Sequence, residues 1–428
     1  MITLSQAGRG ELLQPETFFW CTGIEDTFIT APWPASGRTL DEYALTQHYE
    51  RWSEDIDLIA ELGVKAARYG IPWHRINPAK GVWNFDAADP AIERMLSLGI
   101  QPIVDLVHYG LPAWIEGAYL NPDFAEYMAE YAGNVAQRYK GRVHAYTPLN
   151  EPRITAWYCG RIGWWPPFKR SWRGFLAVMR GVCRGIVRTV ETLREVDPNI
   201  LPVHVDATDR YRADDPHLVA EAEFRQEIVF LALDLVSGRV KPGHALYDWV
   251  LRNNLSEADL AWFGAHALEL PLIGINLYPM FTDKTLSRST AGKFRIKMPY
   301  ADAELIEGIS KQYWERYHAP LFISETASVN SVARRRAWLE DSVAATKRTR
   351  ESGIPLVGYT WWPLFALVTW AYRQGSHPPP YYLKQMGIWD LDSNLDRKAT
   401  ELVKVFQDYI SQGNGSIGIR AGLPLRAP

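Results

Sequence analysis

Short apolar runs recur along the chain, separated by longer stretches whose apolar residues fall three and four positions apart. The runs are "FFWCTGIE" (18–25), "VKAARYGIPW" (64–73), "IQPIVDLVHYG" (100–110), "VHAYTPLNE" (143–151), "ILPVHVDATD" (200–209), "PLIGINLYP" (271–279), "APLFISETAS" (319–328) and "IPLVGYTWWPL" (354–364). Each is near-continuous rather than alternating, as expected of a strand covered on both faces. The intervening stretches read as helices. They are "DEYALTQHYERWSEDIDLIAELG" (41–63, closed by Gly63), "ADPAIERMLSLG" (88–99), "DFAEYMAEYAGNVAQRY" (123–139), "RGFLAVMRGVCRGIVRTVETLREV" (173–196), "ELIEGISKQYWERY" (304–317) and "RRRAWLEDSVAATKRTRESG" (334–353). A glycine just past the last periodic residue is a common helix stop. Eight strands alternating with helices predict an α/β protein, a (β/α)8 TIM barrel. An open doubly wound sheet is the competitor, but the glycine-rich turn it uses for dinucleotides is missing after the first run. We expect one catalytic domain over residues 1–428, with a loose C-terminal tail from about residue 411.

Composition narrows the function classes. The net charge of −3 leaves no basic excess for phosphates, which argues against a nucleic-acid partner. Cys21, Cys159 and Cys183 lie far apart, with no spacing for a disulfide framework or a zinc site. No run is long enough to cross a membrane, and the first residues lack the basic-then-apolar order of a signal peptide, so the expected location is cytoplasmic. The 18 tryptophans matter because aromatic faces both fill cores and stack on sugar rings.

In such a barrel, chemistry gathers at the C-terminal ends of the strands. Those ends carry Glu25 and Asp26, then Arg68, His108, Asn150 with Glu151, Asp206 and Asp209, Asn276 with Tyr278, Glu325, and Trp361 with Trp362. A purely structural barrel has no need of such a ring. Asp206 and Asp209 read as loop or capping residues. Glu151 and Glu325 stand out, because strands four and seven face each other across an eight-stranded mouth. Two opposed carboxyls are what glycoside hydrolysis requires: one protonates the leaving oxygen, and the other attacks the anomeric carbon or activates water, according to their separation. Taken singly, either acid could instead cap a helix.

At these residues the chain resembles family 1 of the glycoside hydrolases, the retaining β-glycosidases. "TPLNEP" (147–152) matches Thr-x-Asn-Glu-Pro, and "FISETAS" (322–328) is similar to Ile-Thr-Glu-Asn-Gly, with Thr326-Ala327 in place of Asn-Gly. "GINLYP" resembles Gly-x-Asn-Tyr-Tyr and keeps Asn276 and Tyr278. "ARYGIPWHRINP" keeps Arg68, Trp73 and Arg75, and "VHYGLPAWI" keeps His108, Pro112 and Trp114 of His-Trp-Asp-x-Pro-x-Trp. The resemblance runs from about Phe18 to Asp392, in family order.

It implies Glu151 as acid/base, Glu325 as nucleophile, and Arg68 and Tyr278 as supports of the nucleophile. His108, Asn150, Asn276, Trp362 and Trp370 would bind sugar, with Asn150 on the 2-hydroxyl; no metal or cofactor is implied. Two departures bear on specificity. A glutamine expected after strand one is absent from "CTGIEDTF", leaving Glu25 and Asp26 as sugar-binding candidates. A glutamate expected after strand eight is replaced by Thr369 in "LFALVTWAYRQG". The expected function is therefore a retaining, exo-acting β-glycosidase for a small β-glycoside, with an atypical sugar in the reacting subsite. Transglycosylation by the same two acids, and a catalytically inactive carbohydrate-binding barrel, are the alternatives. The expected partner is a small carbohydrate or glycoside; homo-oligomerisation is left open.

Overall fold

The computed structural model describes residues 12–14 and 16–412. Eight parallel strands close into a barrel: β1 (Phe19–Ile24), β2 (Ala66–Gly70), β3 (Gln101–Asp105), β4 (Ala145–Thr147), β5 (Leu201–Ala207), β6 (Leu272–Asn276), β7 (Leu321–Thr326) and β8 (Leu356–Trp361). They pair in chain order, and β1 joins β8 to complete the ring. The expected (β/α)8 barrel is the observed fold.

Its interior has two zones. The lower zone is apolar and drawn from every strand, including Cys21, Ala66, Ile103, Ala145, Val203, Leu272, Phe322 and Val357. The upper zone is polar. Register places its members side by side: Gly23 pairs with Arg68, Asn276 with Ala207 and Glu325, and Thr326 with Trp361. In β7 the register slips between Ile323 and Glu325 against β6, and between Ile323 and Thr326 against β8. An extra residue at Ser324 explains both slips; such a bulge re-aims the side chains that follow it.

Helices cover the outside: α1 (His48–Leu62), α2 (Asp89–Ser97), α3 (Phe124–Arg138), α4 (Trp172–Val196), α5 (Val219–Val236), α6 (Glu304–Tyr317), α7 (Val332–Glu351) and α8 (Glu401–Ser411). The helix expected over 41–63 is broken. Asp41 caps a short turn by accepting from Ala44 N, and Gln47 takes a left-handed φ of 60° before α1 begins. The break lets His48 turn inward, where its ring bonds Asp55 at 2.8 Å and the Tyr69 hydroxyl at 3.0 Å. The sequence reading also passed over a three-stranded sheet (Arg210–Ala213, Asp283–Arg288, Phe294–Lys297), built from the segments after β5 and β6. α8 runs to Ser411, so the expected tail falls almost wholly outside the described residues. No helix of the described residues is long and apolar enough to cross a membrane.

Candidate active site

Glu151 begins a short helix (Pro152–Ala156) with φ 49°, and its side chain makes no capping bond. Its carboxylate turns into the barrel mouth instead. Oε1 accepts from Asn276 Nδ2 at 2.8 Å, and Oε2 accepts from the Tyr109 hydroxyl. Burial, and then the charge of Glu325, push its pKa up to about 7, against the pull of Tyr109, Asn276 and Arg153. A carboxyl in this setting holds its proton to far higher pH than an exposed glutamate does.

Glu325 is supported differently. Oε1 takes Arg68 Nη1 at 2.6 Å and Oε2 takes the Tyr278 hydroxyl at 2.7 Å. Burial and the Glu325 charge hold the Tyr278 phenol well above its usual pKa, so it remains a donor. Arg68 stays charged because Glu25, Glu325 and Asp105 surround it. One acid is thus raised toward its neutral form and the other carries two donors, one of them cationic. Such a split separates an acid from a nucleophile.

Arg68 organises the floor. Beyond Glu325 it reaches Asp105 Oδ2 at 2.9 Å, Asn150 Oδ1 at 3.0 Å and Glu25 Oε1 at 3.1 Å. Asn150 therefore offers its oxygen to Arg68 and to Asn276 Nδ2 at 3.2 Å, while its own amide N–H group is buried without a partner. A buried donor left open in a cleft is a ready ligand for a hydroxyl. Ser324 Oγ donates to Asn276 Oδ1 at 2.6 Å, which fixes the amide so that Nδ2 faces Glu151.

His108 Nδ1 lies 3.1 Å from Asp105 Oδ2. Burial lowers the ring's pKa to about 4, although Glu25 and Glu325 pull the other way. In the tautomer that donates Nδ1–H to Asp105, Nε2 is an acceptor for a substrate hydroxyl. Asp105 itself is raised to about 7 by burial, with Arg68 opposing.

Glu25 joins this network. Its Oε2 accepts the Trp362 indole N–H, and burial raises its pKa to about 7, with Arg68 opposing. Trp362 lies 6.2 Å from the His108 ring at an interplanar angle of 22°. Asp26, the next residue, turns elsewhere: it accepts from Tyr43 N at 3.2 Å and from the Tyr49 hydroxyl at 3.1 Å. Thr369 precedes the 3-10 turn Trp370–Gln374, its N–H donating to Tyr382 O at 2.9 Å. Trp370 packs on Tyr109, Tyr158 and Trp165 at 4.8–5.3 Å.

Three residues that the sequence reading passed over belong here: Asp105, Tyr109 and Ser324. Asp105 was hidden inside an apolar strand, though its place three residues before His108 is a usable signal. Tyr109 sits where the resemblance has tryptophan. Asp206 is neither loop nor cap; it lies in β5, buried, with Arg153 as the nearby cation. Asp209 pairs with Arg153 at 2.9 Å and Lys284 at 2.7 Å. A cavity of about 450 Å³ adjoins Tyr109, walled by Ile29, Leu111, Ile115, Trp165 and Phe168.

Two acid–histidine groups among the described residues could hold an ion. Asp26, Asp41 and His74 form one; Glu227, Asp234 and His244 form the other. In the second, Arg316 already binds Asp234 at 2.6 Å and Glu227 at 2.9 Å. Neither group includes Glu151 or Glu325.

Several known proteins resemble this chain. The profile described as "Glycosyl hydrolase family 1" matches residues 21–222. "Beta-glucosidase A" of Thermotoga maritima is 33% identical over 157 residues, 35% of this chain and 34% of that protein. The "Bifunctional beta-D-glucosidase/beta-D-fucosidase" of Bifidobacterium breve is 38% identical over 31% of each chain. These alignments thus span about a third of the relatives' lengths. A "1,4-beta-D-glucan glucohydrolase" of Thermotoga neapolitana aligns over 86% of this chain and 87% of its own, at 24% identity. The fold superposes on the family 1 β-glucosidase of Thermotoga maritima with a TM-score of 0.78, covering 95% of this chain and 99% of that one at 21% identity. The motifs at the strand ends, the profile match over residues 21–222 and the barrel all point in one direction: the chain is similar to the proteins of glycosyl hydrolase family 1.

Proposed function

We propose that the protein is a retaining, exo-acting β-glycosidase that cleaves a small β-glycoside through a glycosyl-enzyme intermediate. The carrying observation is the unequal support of the two carboxyls: Glu325 between Arg68 and Tyr278, Glu151 buried and raised to about 7.

In the first step a Glu325 oxygen attacks the anomeric carbon while Glu151 gives its proton to the glycosidic oxygen. The bond to the leaving group breaks with its electron pair, and the aglycone departs as an alcohol. In the second step a water gives a proton to the Glu151 carboxylate and its oxygen attacks the anomeric carbon. The ester bond breaks and Glu325 regains its charge. The open Asn150 amide suits the sugar 2-hydroxyl, and His108 Nε2 suits a neighbouring hydroxyl. The apolar cavity beside Tyr109 suits an uncharged aglycone.

The sugar is set by Glu25 together with the absence of an acid at Thr369. A buried carboxyl that holds two hydroxyls discriminates strongly, because a substrate lacking them leaves it unpaired. Its loss at 369, and the gain of a carboxyl at 25, support a glycone other than ordinary glucose or galactose.

The test is a panel of aryl β-glycosides covering gluco, galacto, fuco, xylo, manno, glucurono and furanosyl sugars. One of them should be turned over by the native protein, and Glu325→Ala should abolish that turnover. Near-normal hydrolysis by Glu325→Ala would sink the assignment. Release of the sugar in its original anomeric configuration, followed by NMR, tests retention.

A further inference from the structure

Tyr109 closes the turn after β3 with φ 76°, an uncommon backbone for a bulky side chain. The turn is held in place from several sides. The Tyr109 carbonyl accepts the Tyr119 hydroxyl at 2.7 Å. The next residue must be glycine, because a Cβ on Gly110 would lie 2.1 Å from the Phe28 carbonyl oxygen. The Tyr109 ring packs against His108 at 4.8 Å, Trp370 at 5.3 Å and Trp165 at 5.4 Å. All of this aims one phenol hydroxyl at Glu151 Oε2. A constrained conformation that spends its side-chain hydroxyl on the Glu151 carboxyl points to a role in the reaction.

Resting on the reading of Glu151 as acid/base, we propose that Tyr109 is a positioning residue for Glu151. Its hydroxyl orients the carboxyl in the first step and favours the charged form needed when Glu151 acts as base in the second. The groups facing Glu151 make this consequential. Glu325 from β7 and Asp206 from β5 oppose its charge; Arg153, the Asn276 amide and Tyr109 favour it. Tyr158 and Tyr278 also lie close, both held protonated by burial. When Glu325 is esterified its charge disappears, and the Tyr109 donor is already in place to receive the Glu151 carboxylate.

Tyr109→Phe keeps the ring contacts and deletes the donor. The first readout needs no turnover: the Glu151 carboxyl is followed by carbon-13 NMR in glutamate-labelled protein and assigned by its absence in Glu151→Gln. Its titration midpoint should rise by about half to one pH unit in Tyr109→Phe, because a donor to the charged form has gone. The second readout uses an activated aryl glycoside for which hydrolysis of the intermediate is slow. There kcat should fall roughly tenfold with KM falling in parallel, kcat/KM at pH 5 should stay within about threefold, and azide should restore kcat. An unmoved midpoint, or a uniform loss of kcat/KM at every pH, would overturn the proposal. A raised midpoint in a protein that turns over no β-glycoside would uphold the Tyr109–Glu151 coupling and refute the glycosidase reading.

Discussion

Arg68 Nη1 stands 2.6 Å from Glu325 Oε1, and both side chains are buried. The same guanidinium also meets Asp105 at 2.9 Å and Glu25 at 3.1 Å, so one cation serves three carboxyls. Lysine cannot reproduce a fork that reaches Ser324 O, Asn150 and three acids at once. Arg68→Lys should lower kcat/KM by about 10²–10³ and lower the melting temperature, since buried carboxyls lose their compensation. Steady-state kinetics on the best aryl glycoside, with thermal unfolding, measures both. Retention of more than half the native kcat/KM would remove Arg68 from the mechanism.

On the proposed reading, Glu25 is the residue through which sugar preference is re-tuned. Its two oxygens are engaged by Arg68 and Trp362, so Glu25→Gln keeps the shape while removing a charge and adding two donors. The ratio of kcat/KM between the best and second-best sugars of the panel should change by about tenfold or more, a difference of roughly 1.4 kcal/mol in transition-state binding. An unchanged ranking and ratio would place sugar selection elsewhere.

Glu42 gives a pH-dependent stability signature away from Glu151 and Glu325. It is buried, its Oε1 has no hydrogen-bond partner, and burial pushes its pKa up to about 8, with Thr27 opposing. The unfolded carboxyl gives up its proton near the ordinary value of about 4.3, whereas the folded one keeps it to about 8. Between those limits unfolding releases a proton, so rising pH destabilises the fold. Glu42→Gln removes that penalty. Its melting temperature should match the native protein near pH 5 and exceed it by about 3 °C at pH 8. A constant difference across that range would show that Glu42 does not titrate this way.

The barrel was legible because each strand is covered on both faces and so reads as an apolar run ending in a polar residue. Glu151 and Glu325 stand out in the sequence by the places of their strands in the ring, and the fold brings them near enough for the Glu325 charge to act on Glu151, with Arg68 and Tyr278 on one and Asn276 on the other. What stayed hidden depends on tertiary geometry. Asp105 lies inside an apolar strand and becomes visible only when Arg68 and His108 converge on it. Tyr109 reaches Glu151 only because Gly110 lets the β3 turn press against Phe28. Asp26 shares its neighbour's composition but not its direction: one step along the chain sends its carboxylate to Tyr43 and Tyr49. The break at Gln47 is likewise a tertiary effect, because His48 is drawn in by Asp55 and Tyr69 against a helical pattern that runs straight through.

In the proposed reaction Glu325 becomes covalently bonded to the sugar. The direct measurement is mass spectrometry of peptides after incubation with a 2-deoxy-2-fluoro β-glycoside of the sugar that the panel selects, carrying a good leaving group. Time-dependent loss of activity and one fluoro-glycosyl adduct, on Glu325 within "FISETAS", are expected. An adduct on another residue, or full inactivation with Glu325 unmodified, would contradict the proposed reaction.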